Sequence, residues 1–146
     1  FAVAALFIVK GPPDPARAAE TTILGWKGAG AALDRTSIEP VMVPGNAESV
    51  LKAPAGGVVF HGPPPSKGLN DRLLAALGRA KSPASVVVVP ISVKNRVVNL
   101  LYADNGPDSV PPEMASWLVL LARDVGQAYE QIILSKKKST AEPAAR

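Results

Sequence analysis

The chain has 146 residues, a net charge of +4 and no cysteine. That length holds one hydrophobic core, and the missing cysteines exclude a disulfide framework, thiolate chemistry, a cysteine-bound zinc and a thioether-linked chromophore. Mean hydropathy is slightly positive at +0.17, yet no apolar run approaches the ~20 residues of a membrane-spanning helix, so no membrane partner is expected, and the missing cysteines fit a cytoplasmic protein.

Three of the 16 basic residues stand together at Lys136, Lys137 and Lys138. The remaining surface reads as near neutral, with no basic stripe interleaved with aromatics, which argues against nucleic acid as a partner. The start at Phe1, without an initiator Met, reads as a piece of a longer protein.

Ala2 to Val9 is almost entirely apolar, the pattern of a central strand covered on both faces. Gly11-Pro12-Pro13-Asp14-Pro15 removes backbone donors and forces a turn. Thr21 to Lys27 predicts a second strand, hairpinned to the first, with Ile23 and Gly25 on one face and Leu24 and Trp26 on the other. Gly28 to Ala32 reads as a loop of small residues. Ser37 to Val43 predicts an edge strand because Pro40 interrupts it. Asn46 is placed to cap a brief helix over Ala47 to Lys52 that Pro54 ends. Val58 to His61 predicts a short strand entering the stiff Gly62-Pro63-Pro64-Pro65 connector.

Leu73, Leu74 and Leu77 at helical spacing, with Gly78 as the stop, predict a helix over Asn70 to Leu77. Ser85 to Val93 and Arg96 to Asp104 predict a hairpin turning at Lys94-Asn95, since Asn tolerates the positive φ that a two-residue turn requires. After Asp104-Asn105-Gly106-Pro107, Asp108 or Ser109 can cap a long helix running to about Leu134. Its apolar face is read as Met114, Trp117, Leu118, Leu121, Val125, Ala128 and Ile132, and Leu120, Tyr129 and Ile133 widen the stripe beyond what one sheet requires. That surplus predicts an interface through Trp117, Leu121, Val125, Ala128 and Ile132, with a second copy or a regulatory protein. Residues 135–146 read as a basic, disordered tail.

The run Val86-Val87-Val88-Val89-Pro90-Ile91, the stretch Asn95-Arg96-Val97-Val98-Asn99-Leu100-Leu101-Tyr102-Ala103-Asp104-Asn105 and the closing helix together resemble a GAF domain. The resemblance is carried by Ser85 to Leu134; upstream, it extends to the order of the elements. It implies an α+β fold of the class shared with PAS and profilin-like scaffolds. Five or six antiparallel strands form a central sheet, helices lie on one face, and variable segments on the other can enclose a small molecule. A regulatory rather than catalytic role is implied, often with dimerisation through terminal helices. The helix that usually precedes the first strand is missing from residues 1–134. Also missing are the Asn-Lys-x-n-Phe-Asp-Glu signature of cyclic-nucleotide GAF domains and the bilin-anchoring Cys, so neither ligand is expected.

Few residues suggest chemistry. His61 is the only histidine, which rules out a multi-histidine metal site and leaves single-ligand haem binding set against a structural role. Asp104 and Asp108 flank a Gly-Pro turn, where capping explains them better than acid/base work. Gly25 to Gly30 matches neither a P-loop nor a dinucleotide fingerprint. If the GAF layout holds, Trp26, Phe60, His61, Asn70 and Arg72 gather near the proline connector as the candidate ligand site. No enzyme activity and no cofactor are expected. The alternative is a ligand-free assembly domain with that space filled by side chains.

Overall fold

The structure, a computed structural model, describes residues 1–12, 15–30, 33, 37–79 and 81–141. Among these, β1 (Val3–Lys10), β2 (Thr22–Ala29), β3 (Met42–Pro44), β4 (Phe60–Gly62), β5 (Val86–Val93) and β6 (Arg96–Asp104) form one sheet in the order β3-β2-β1-β6-β5-β4. All neighbouring pairs are antiparallel. Three helices complete it: α1 (Lys52–Ala55), α2 (Asn70–Ala76) and α3 (Pro112–Ala141). A 3-10 segment, Pro15–Glu20, links β1 to β2.

Four consecutive buried valines explain why the sheet is a middle layer. Val86 and Val88 of β5 enter a core with Phe7, Leu100 and Tyr102 beneath α1 and α2, while Val87 and Val89 enter a second core with Ala103, Leu118 and Ala122 beneath α3. Side chains alternate across a strand, so an unbroken apolar run is stable only where both faces are covered. The β5–β6 hairpin turns at Lys94 and Asn95, which both hold positive φ, 50° and 65°. This two-residue turn matches the right-handed twist of the strands it joins.

Several boundaries differ from the sequence reading. Strand β2 continues through Ala29, and opposite it Leu6 pairs with Lys27 but Phe7 with Gly25, which leaves Trp26 as the extra residue of a bulge. Only Met42–Pro44 of the expected edge strand is a strand, because a turn at Glu39-Pro40 returns the Val41 amide to the Ile38 carbonyl at 2.9 Å. Asn46 caps no helix; α1 begins at Lys52 and contains Pro54, whose missing amide has no partner to lose in a first turn. Phe60 to Gly62 pairs with β5, whereas Val58 and Val59 stand exposed before it.

Helix α3 begins at Pro112 and runs on through Ala141, past the expected end near Leu134 and through the Lys136–Lys138 cluster. Pro112 suits a first turn, and no proline or glycine after Gly126 interrupts the helix. Residues 142–146, the end of the expected tail, lie outside the described residues. No helix among the described residues is long and apolar enough to cross a membrane.

The face of α3 that meets the sheet also differs. Ala115, Leu118, Ala122 and Gly126 are buried, with Val125 and Tyr129 half-buried beside them, whereas Trp117 is 72% exposed and Leu121, Ala128 and Ile132 are exposed. Small residues bring the helix axis close to β5, so the bulkier stripe turns about 100° away from the sheet. Val125 therefore packs within the chain, and the other four expected interface residues remain on the outer side.

Candidate functional site: a cavity between the sheet and two short helices

Two loops and two helices shape the cavity. The Leu69 amide donates to the Glu48 carbonyl at 2.9 Å. Beside it Asn70, only 3% exposed, accepts from the Val50 amide at 2.8 Å through Oδ1 and donates from Nδ2 to the Pro65 carbonyl at 2.7 Å. These bonds tie segment 48–50 to segment 65–70. Gly68 permits the approach: at φ +63° its backbone lies so near the Glu48 carbonyl that a Cβ there would stand 2.2 Å from the oxygen. Replacing Asn70 with alanine strands a buried amide and a carbonyl, so a loss of about 2 kcal/mol in stability is expected in urea denaturation.

The cavity that results has a volume of about 520 Å³. Val50, Ala53, Val58, Phe60 and Pro65 make up its apolar lining, and Asn70 also borders it. Glu48, Ser49, Lys52 and Lys67 add polar side chains to its lining, with the Ser49 hydroxyl accepting from the Leu51 amide at 3.1 Å. Lys52 holds Glu48 at 2.8 Å, and that hydrogen bond and charge keep the Glu48 carboxyl below its ordinary range.

Of the five residues expected to gather here, Phe60 and Asn70 line this cavity. Arg72 instead lines a neighbouring groove of about 640 Å³ between β3 and α2, with Met42, Leu69 and Leu73. Trp26 lies on β2, with β1, β6 and β5 between it and β4, a span of roughly 19 Å along the sheet. His61 pairs with Val87 and therefore points to the α3 face, opposite Phe60. There its Nε2, in the protonated tautomer, donates to the Val110 carbonyl at 2.8 Å, and the Val110 amide donates to Ser85 Oγ at 2.7 Å. Glu48, Lys52 and Lys67 carried no sequence signal, because they come from loops and a four-residue helix without periodicity.

A second polar cluster lies at the end of β6. Asp104, fully buried, accepts from Tyr102 Oη at 2.7 Å and from the Gly106 amide at 2.8 Å, and pairs with Arg79 Nη2 at 3.2 Å. With both carboxylate oxygens engaged and no water-facing surface, this aspartate clamps the loop after α2 to the end of the sheet; it is poorly placed for acid/base work. Burial first, and the Asp104 carboxylate second, push the Tyr102 phenol far above its ordinary value. Because the folded state keeps this proton after an unfolded tyrosine loses it near pH 10, the stabilisation is complete below pH ~10 and fades as pH rises, by about 1.4 kcal/mol per unit. Urea titrations from pH 9 to 11 are expected to show that extra slope in the parent protein and not in Tyr102→Phe.

With this architecture in view, solved structures supply the comparison. A fragment of a methyl-accepting chemotaxis protein, residues 122 to 287, superposes with a TM-score of 0.66 at 19% identity, over 93% of this chain and 82% of that one. The second GAF domain of DevS from Mycobacterium smegmatis matches with a TM-score of 0.63 at 14% identity, over 94% of this chain and 86% of that one. The chain has a GAF-like fold. A GAF domain from an Acinetobacter phosphoenolpyruvate-protein phosphotransferase gives 0.57 at 13% identity, over 92% and 75% of the two chains. No family model matches the sequence, and no curated protein does. In this GAF-like fold the cavity lies on the sheet face opposite the long closing helix.

Proposed function

We propose that the chain is a non-catalytic sensory module of a bacterial cytoplasmic signalling protein, in which a small molecule held at Phe60 and Asn70 biases the packing or pairing of α3. The observation that carries this reading is the connection through β4. Phe60 faces the cavity, and the next residue, His61, holds the carbonyl of Val110 two residues before α3 begins. A ligand that shifts β4 thus acts on the entry to α3, and it favours one arrangement to the extent that it binds the two arrangements differently. The GAF and chemotaxis neighbours come from signalling proteins, which agrees with the reading. The outer stripe of Trp117, Leu121, Ala128 and Ile132 is the homodimer or partner surface in this scheme.

That exposed stripe also favours a second reading, an assembly domain that needs no ligand. Native mass spectrometry of the protein purified from its expression host separates the two. A reproducible extra mass lost on denaturation, together with a dimer that Trp117→Glu dissociates, is the expected result. An unliganded dimer moves the assignment to the assembly domain.

A further inference from the structure

Resting on that reading of the cavity, we infer that its ligand is a mostly apolar molecule with one anionic, carboxylate-type end seated at Lys67. The apolar part follows from the lining, since Val50, Ala53, Val58, Phe60 and Pro65 offer no hydrogen-bonding side chains. Charge in the lining decides the rest. Two cations and one anion line the cavity, and Lys52 is committed to Glu48 at 2.8 Å. Lys67 lies within electrostatic reach of the same carboxylate but forms no ion pair among the described residues. An arriving anion therefore finds a free ammonium beside an apolar wall, whereas an arriving cation meets a carboxylate already neutralised. Asn70 is held by Val50 and Pro65, and the second hydrogen of its Nδ2 is a donor, which suits an anion rather than a cation. A volume of about 520 Å³ admits a chain or ring system of modest size.

Octanoate and 1-octanol, equal in chain length and different in charge, are the probes. Each is titrated into the isotope-labelled protein while amide shifts are followed by NMR. Shifts at Ser49, Val58, Phe60 and Lys67 are expected, with octanoate binding about fivefold more tightly than octanol, the scale of one partly exposed ion pair. Lys67→Met is expected to abolish the preference, bringing the octanoate-to-octanol affinity ratio to about one, and Ala53→Trp, which fills the cavity from an exposed position, to remove the binding of both probes. Equal affinities, or a preference that survives Lys67→Met, overturn the anionic ligand and leave the cavity reading standing. Shifts by neither probe at those amides overturn both.

Discussion

Asp104→Ala is expected to lower the unfolding free energy by about 3–5 kcal/mol, the range for removing one partner of a buried ion pair. Three groups lose their acceptor at once: the Tyr102 hydroxyl, the Gly106 amide and the Arg79 guanidinium, whose side chain is 13% exposed. Arg79 Nε already has no hydrogen-bond partner among the described residues, so the guanidinium depends on Asp104 more than an arginine with several acceptors would. The double variant Asp104→Leu with Arg79→Met is expected to be far milder than the single one, because no charge then remains buried without a counter-charge. Chemical denaturation of the parent, Asp104→Leu, Arg79→Met and the double variant, which together close a double-mutant cycle, measures the coupling. A single variant that costs less than about 1 kcal/mol would mean that water reaches the cluster and that the clamp does not hold the end of β6.

The second large effect runs against helix propensity. Glycine inside an exposed helix costs about 1 kcal/mol relative to alanine, so on local grounds Gly126→Ala should stabilise α3. A Cβ at position 126, however, would stand 2.4 Å from the carbonyl oxygen of Ser92. That atom belongs to the backbone of β5 and cannot rotate aside, so the helix must lift from the sheet and loosen Leu118, Ala122 and Val125. A net loss of about 1–3 kcal/mol is expected for Gly126→Ala, and more for Gly126→Leu, by urea denaturation followed by circular dichroism. Gln127→Ala, one position along on the exposed side, serves as the control and is expected to change stability by under about 0.5 kcal/mol. Higher stability in Gly126→Ala would show that α3 does not press on β5 at this point.

Both cases mark where local signals stop. The hairpin at Lys94-Asn95 was legible because turn chemistry and β-branched runs act over a few residues, and the helix over Asn70 to Leu77 because three leucines and a glycine stop suffice. Position within the sheet was also legible for β1, whose nearly unbroken apolar run requires two covered faces. The face of α3 was not. A count of large apolar residues points to Trp117 and Leu121, but contact with a sheet is decided by how near the backbones can come, and that rests on Ala115, Ala122 and Gly126. At the candidate site, Phe60 and Asn70 meet while Trp26 and Arg72 go elsewhere, because strand order and the placing of α2 set the distances between segments far apart in the chain.

From composition, periodicity and turn residues came the antiparallel hairpins, the long closing helix and the lack of any cysteine chemistry, and the resemblance to GAF domains added the α+β class. The tertiary structure decided which side of that helix is covered, which residues surround the cavity, and that Asp104 is a buried clamp rather than a turn residue alone. The reason is physical: secondary structure follows from interactions between residues a few positions apart. A cavity or a buried ion pair exists only when segments twenty or more positions apart, such as Val50 with Asn70 and Arg79 with Asp104, are brought into contact by the fold.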